Sequence, residues 1–360
     1  MKSREGDRAA RLVAAAGKEG RLASLQERYG ALIETELRRA LAGRELAHYS
    51  LMRYHLGWED RDGRPHQWFR GKMLRPLLCL ASCEAVGGDR ERALPAAAAL
   101  ELLHNFSLIH DDIEDGSPQR HGRDTVWQVR GIPQAVNAGD GMFALAHVTL
   151  HRLSEVGLPA EQVMAVARLL GEASLRLCEG QYRDLSYEQR LDVRCDDYLE
   201  MVAGKTAALM AASAGSGALI GNAPNAVVAL FQEFGRNLGF AFQIRDDILG
   251  IWGEAEETGK LTGEDIRARK KSFPVVYALE QASAADRDAL RAIYGKHEMD
   301  DNDVAEVSAI LQRLGAHAHS QKMAAEHAAR ALRHLEGLDL VPERRRDLET
   351  LAGYFVNREA

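Results

Sequence analysis

Four acids occupy five positions at Asp111-Asp112-Ile113-Glu114-Asp115, directly after an apolar, Ala/Leu-rich run. In a helix, about 100° per residue places Asp111, Asp112 and Asp115 within roughly a 100° arc of one face. Carboxylates crowded on one face repel one another, and a plain solvent-facing helix gains nothing from that. As hard oxygen ligands they suit divalent cations, above all Mg²⁺ that also bridges a substrate's phosphates. A second acid pair, Asp246-Asp247, also follows an apolar helical run, Leu238-Gly239-Phe240-Ala241-Phe242-Gln243-Ile244. Two carboxylate clusters facing each other across a diphosphate is the chemistry these residues suit.

The cations that would meet such a substrate must be local. With 46 Lys+Arg against 53 Asp+Glu the net charge is −7, so there is no global basic field for nucleic acid. Lys72 and Arg75 stand i,i+3 in Gly71-Lys72-Met73-Leu74-Arg75-Pro76 and can present charge together at a helix start. Arg120-His121-Gly122-Arg123 follows the first acids in a Gly/Pro-containing loop. Farther on come Gly180-Gln181, Lys205-Thr206, Gln243 one helical turn before Asp246, Thr258-Gly259-Lys260 and Lys270-Lys271. Other polar groups have ordinary explanations. Asp196-Asp197 opens a helix as a cap, Asp140 reads as structural, and Arg267-Ala268-Arg269-Lys270-Lys271 reads as a solvated turn, with one of its lysines a candidate for phosphate. Cys79 and Cys83, spaced i,i+4 on an apolar helix, read as core thiols.

Helices must position these groups. Hydrophobic residues make up 46% and aromatics only 6% of the 360 residues, a composition rich in Ala and Leu that favours helix over sheet. Periodicity predicts helices over about 22–56, 71–87, 93–114, 134–155, 160–180, 195–220, 224–250, 273–293, 302–334 and 341–357, with no alternating strand pattern. Residues 1–20 read as a flexible or accessory leader and 21–360 as one all-α domain. Thr206 to Gln232 carries no charge, yet its Ala, Gly, Ser and Asn content and the break at Gly221-Asn222-Ala223-Pro224 predict two buried helices rather than a membrane span. The N-terminus lacks the apolar core of a signal peptide, and a reducing cytoplasm suits the cysteines.

In order and spacing these motifs together resemble the polyprenyl synthetase family of trans-isoprenyl diphosphate synthases, across roughly residues 40 to 358. The resemblance implies the isoprenoid synthase fold, a helical bundle with a central cavity, in a homodimer. It implies a prenyltransferase that condenses isopentenyl diphosphate with an allylic diphosphate held by three Mg²⁺. It carries metal ligation to Asp111, Asp112, Asp115 and Asp246, with Asp247 supporting at the metals. Arg120, Lys205 and Lys260 would hold the allylic diphosphate, and Lys72, Arg75, His104 and His121 the isopentenyl diphosphate, with Thr206 and Gln243 beside the substrate. Phe106 and Ser107, five and four residues before Asp111, would set chain length. Phe106 is the only aromatic of the two, which points to geranylgeranyl diphosphate, with farnesyl second. Three positions depart from the family pattern. Gly250 replaces the third Asp of the second motif, His121 replaces the second Arg of the loop, and Arg183 replaces an apolar residue before Asp184. These changes lean toward a terpene cyclase on the same fold, whereas Lys72, Arg75 and His104 favour chain elongation. A non-catalytic subunit would be expected to lack the first acid cluster, which is whole here.

Overall fold

The computed structural model describes residues 2–68, 71–188, 190–253, 263–296 and 298–357, with side chains from Leu22 to Val356 among these. It is a stack of helices, and the first, α1 (Lys2–Leu41), shows why. Leu22, Leu25, Tyr29, Ile33, Leu37 and Leu41 recur at helical spacing and are all buried, an apolar stripe that can be satisfied only by packing. The chain then turns into α2 (Ala47–His55), so the expected 22–56 helix is two. Helix α3 (Leu74–Ala85) precedes the central α4 (Arg90–Glu114). Asp89 caps α4 by accepting from the Glu91 N–H at 3.0 Å. Ala93, Ala96 to Leu100, Leu102 and Leu103 are buried on every side, as expected of a helix inside a bundle rather than on its surface.

Beyond α4 a short hairpin, β1 (Gln119–Arg120) with β2 (Arg123–Asp124), interrupts the all-α pattern. Four helices follow: α5 (Val126–Arg130), α6 (Ile132–Leu150), α7 (Arg152–Glu155) and α8 (Ala160–Tyr187). The predicted 195–220 helix is α9 (Cys195–Val202), a π-helical turn (Ala203–Ala207) and α10 (Ala208–Ile220). Helix α10 is buried along nearly its whole length and packs on α11 (Asn225–Trp252) and α3. No described helix is long and apolar enough to cross a membrane. The C-terminal layer consists of α12 (Glu264–Arg267), α13 (Phe273–Gln281), α14 (Ala284–Tyr294), α15 (Asp301–Arg313), α16 (Ala316–Arg333) and α17 (Pro342–Asn357). Two long predicted helices are therefore broken, one at Ala282-Ser283 and one at Leu314-Gly315. Gly315 takes φ +67°, the left-handed conformation that ends a helix cheaply only at glycine.

Candidate active site

Helix α4 delivers the first acids at its C-terminal turn, and Asp115 is its C-cap. The backbone dipole there is negative, the wrong pole for carboxylates, and no basic residue in that turn offsets them. Asp112 is only 2% exposed. Its Oδ1 accepts from Arg120 Nε at 2.9 Å and lies 2.8 Å from Nη2. Its Oδ2 is buried with no protein partner. Burial pushes Asp111 up to about 6, with Asp115 and Glu114 adding to the rise against the pull of Lys205 and Arg120. Burial also raises Asp112 despite the Arg120 pair. A buried carboxylate oxygen without a protein partner, among acids that resist ionising, fits a divalent cation as its partner. Among the described residues no three acids or imidazoles form a closed cage. Mg²⁺ takes one or two carboxylates and completes its shell with water and phosphate oxygens.

Arg120 reaches Asp112 because the hairpin turns tightly on His121 and Gly122, at φ +51° and +71°, the two positive values a two-residue hairpin turn requires. Behind the hairpin lies an open cavity of about 130 Å³. His55, His104, Asp112, Arg120, His121 and Arg123 are among its lining residues. Burial and the nearby Arg120 and Arg123 push His55 down to about 3, and burial with Arg75 and Arg120 holds His104 well below its usual value. Neutral imidazoles beside Arg120 and Arg123 can donate to an anion, although Glu34, Glu101, Asp112 and Asp124 line the same cavity. Arg75 adds a buried Nε without a protein partner. Lys72 Nζ lies 5.2 Å from the Tyr354 ring centroid. His55 was not among the sequence candidates, since only the tertiary fold brings α2 beside α4.

The opposite wall is built on the π-turn, a distortion frequent at functional sites. It presents Lys205, whose Nζ donates to Asp184 of α8. Burial disfavours the charged lysine, but Asp184, Asp111 and Asp115 outweigh it and raise its pKa. Helix α8 comes this close because Gly180 faces Gly204. A Cβ on Gly180 would lie 2.1 Å from the Lys205 backbone nitrogen. Next to Lys205, Thr206 Oγ1 donates to Gln243 Oε1 at 2.7 Å, and Gln243 Nε2 donates to Asp247 Oδ1 at 3.0 Å. Asp247 Oδ2 also accepts from the Tyr198 hydroxyl at 2.6 Å and the Phe273 N–H at 2.7 Å. Burial and Asp265 push Asp247 up to about 7 against these bonds. Asp247 thus faces inward among three donors, whereas Asp246 is exposed.

Several other sequence candidates also have defined places. Ser107 Oγ donates to the His104 carbonyl at 2.8 Å. The Phe106 ring packs edge-on against Phe143 of α6 at 5.1 Å. Gln181 Nε2 donates to Glu114 at 2.6 Å, so α8 touches the acid turn. Arg183 points away to Glu200 at 2.7 Å and leaves the adjacent Asp184 to Lys205. Lys270 feels burial, Asp265, Asp115 and Asp184, and its pKa rises. Lys271 instead donates to the Glu188 and Arg269 carbonyls at 2.9 and 3.2 Å. Lys260 lies outside the described residues.

The strain in the acid turn has a measurable sign. Asp111 binds its proton more tightly folded than unfolded, so its ionisation opposes folding from about pH 4 upward. Asp111→Asn should therefore stabilise the metal-free protein, by an amount that grows from pH 4 to pH 7. At about 1.4 kcal/mol per pKa unit, the gain at pH 7 is at most about 3 kcal/mol. Thermal denaturation of both proteins across that range checks it, and an unchanged or lower Tm would show that Asp111 is not held in a strained state.

Known proteins resemble this chain along most of its length. Residues 66–311 match the polyprenyl synthetase family, and the chain belongs to that family, a class of prenyltransferases. It is 39% identical over 310 residues to a (2E,6E)-farnesyl diphosphate synthase of Mycobacterium tuberculosis, covering 85% of each chain. It is 38% identical over 306 residues to a geranylgeranyl diphosphate synthase of the same organism, again covering 85% of each. The crystal structure of a polyprenyl synthetase from Streptomyces coelicolor superposes with a TM-score of 0.86 at 37% identity, covering 93% of this chain and 99% of that one. The fold is thus the all-α isoprenoid synthase bundle.

Proposed function

We propose that this prenyltransferase condenses isopentenyl diphosphate with an allylic diphosphate and releases geranylgeranyl diphosphate, with farnesyl diphosphate as the second choice. The observation that carries the reading is the unpartnered, buried Oδ2 of Asp112, set beside Arg120 and among acids that resist ionising. Asp111, Asp112, Asp115 and Asp246 would hold three Mg²⁺, with Asp247 bracing Gln243 and Tyr198 behind them. Bound Mg²⁺ would neutralise the departing diphosphate and so favour ionisation of the allylic carbon–oxygen bond. Arg120, Lys205 and Lys260 hold that diphosphate from the protein side, by charge placed where negative charge develops. Lys72, Arg75, His104 and His121 hold isopentenyl diphosphate, whose double bond attacks the allylic cation, and the released pyrophosphate accepts the final proton. Thr206 and Gln243 line the reacting end, and the Ala/Leu helices keep water from the cation.

Product length follows from what lies below Asp111. Each residue back along α4 descends about 1.5 Å, and a residue four back lies nearly beneath. That residue is Ser107, which is small and buried. Phe106 turns toward Phe143 and serves as a side wall, so Leu103 and Leu100 form the deeper floor. The chain is also proposed to act as a homodimer. Of the ten large apolar side chains exposed among the described residues, Ile132, Val136, Phe143 and Val148 lie on α6, and Met164, Leu175 and Tyr182 on α8. Seven of ten on two helices is what a shared interface leaves when separated. We place the enzyme in the cytoplasm, where its four free cysteines would stay reduced.

The test is turnover of the purified chain with isopentenyl and farnesyl diphosphates, with and without a chelator, followed by chromatography of the products. A chelator-sensitive geranylgeranyl product is expected. A hydrocarbon or alcohol with no elongated diphosphate would instead identify a cyclase, and no product a non-catalytic subunit. Ser107→Phe should shorten the product by at least one five-carbon unit, and an unchanged length would place the floor elsewhere.

A further inference from the structure

Arg120 and Arg123 stand directly opposite each other across the hairpin, and like charges in that relation repel. Each is held by a different partner. Arg120 is tied to Asp112. Arg123 enters a socket built from three pieces of chain. Its guanidinium carbon lies 4.4 Å from the Tyr54 ring centroid and 5.1 Å from that of Trp68, two faces that suit a planar cation. Its Nη2 donates to the Tyr54 carbonyl at 2.6 Å. That carbonyl lies in the last turn of α2, where the helix dipole favours a cation. The tie is returned, because the Tyr54 hydroxyl donates to the Asp124 carbonyl at 2.7 Å. The loop after α2 completes the socket. Gly57 turns the chain at φ +78°, and its carbonyl accepts from the Trp68 N–H at 3.1 Å, which sets the indole beside Arg123.

We infer that Arg123 is a positioning residue for isopentenyl diphosphate binding: it locks the hairpin to the end of α2, and so fixes Arg120 and His121 on one wall of the cavity and His55 on another. This rests on the reading of the cavity as the isopentenyl diphosphate site. Arg123 acts through its neighbours, since its fork and its planar face are engaged by Tyr54 and Trp68. With the socket empty, Asp112 alone holds the hairpin, and each binding event must order the turn again. That ordering cost weakens binding. Once substrate is bound the turn is in place, so the chemical step is little affected.

The test measures kcat, the KM for isopentenyl diphosphate at saturating farnesyl diphosphate, and Tm, all on the full chain. Arg123→Lys keeps the charge and loses the fork and the planar face. It should raise that KM about 10-fold, the scale of one charge-assisted hydrogen bond, while kcat changes by less than about 2-fold. Trp68→Leu should do the same without altering any charge, and with little change in Tm, because Trp68 is 42% exposed. The double variant should be no worse than the poorer single one, since both changes open one socket. The inference is overturned if Trp68→Leu keeps the wild-type KM, or if the two effects multiply, which would make Arg123 a direct substrate contact. It is also overturned if Tm and kcat fall while KM stays, the mark of a merely structural residue. Failure of the underlying reading shows elsewhere. The wild type then makes no elongated diphosphate, or His104→Ala leaves the KM for isopentenyl diphosphate unchanged, and the inference falls with it.

Discussion

Asp112→Ala should cut turnover by about 10²- to 10³-fold or more, the scale on which removing one preorganised charge-stabilising group acts, with the fold intact. The stability half follows from the site itself. Burial holds the Asp112 carboxyl above its usual pKa even beside Arg120, so ionised Asp112 is a cost to the metal-free fold rather than a support. Arg120 is part-exposed and can turn to water when the acid is gone. Asp246→Ala should behave alike, because the side chain is exposed. Asp247→Ala should differ in kind. It strips a partner from Tyr198, Gln243 and the buried Phe273 N–H, and each buried unsatisfied group costs about 1–3 kcal/mol. Steady-state rates at saturating Mg²⁺ combined with thermal melts separate the cases. Near-normal turnover in Asp112→Ala or Asp246→Ala would end the two-cluster model, and an unchanged Tm in Asp247→Ala would deny it the bracing role.

Gly180→Ala should impair both stability and catalysis, although the change is one methyl group on a helix. The new Cβ would meet three backbone atoms, Lys205 N at 2.1 Å, Gly204 C at 2.7 Å and Lys205 Cα at 2.8 Å. Backbone cannot swing aside as a flexible side chain can, so α8 and the π-turn must part. Overpacking of this kind costs about 1–3 kcal/mol. The displacement falls on Lys205 and Thr206, so kcat should drop together with Tm. Gly171→Ala provides the control. It lies on the same helix with nothing within 4 Å of its added Cβ, and replacing a helical glycine there should stabilise by about 0.5–1 kcal/mol. If Gly180→Ala melted and turned over like Gly171→Ala, the close approach of the two helices would not be what positions Lys205.

The outline of this protein was legible in its residues. The acid turn after Leu108-Ile109, the Lys72/Arg75 pair and the Lys205-Thr206 step are local patterns, and their order along the chain was enough to suggest the family and its chemistry. Helical periodicity located most elements for the same reason, since the i,i+4 stripe is a short-range signal. Breaks within long helices were missed, because a π-turn or a bend at Ala282-Ser283 leaves the apolar repeat nearly intact. The hairpin was missed because two-residue strands are too short to show alternation.

What the sequence alone determined is which residues can carry charge, ligate a metal or line an apolar tunnel, and at what spacing. Only the tertiary structure decided which of them meet. It turned Asp247 inward to three donors and left Asp246 exposed, a difference between neighbours that no spacing rule distinguishes. It brought His55 from α2 into the cavity with His104 and turned Arg183 away to Glu200. Side-chain chemistry is local and can be read residue by residue. Proximity across the chain is settled by how helices pack, and here that packing depends on glycines whose only contribution is the absence of a Cβ.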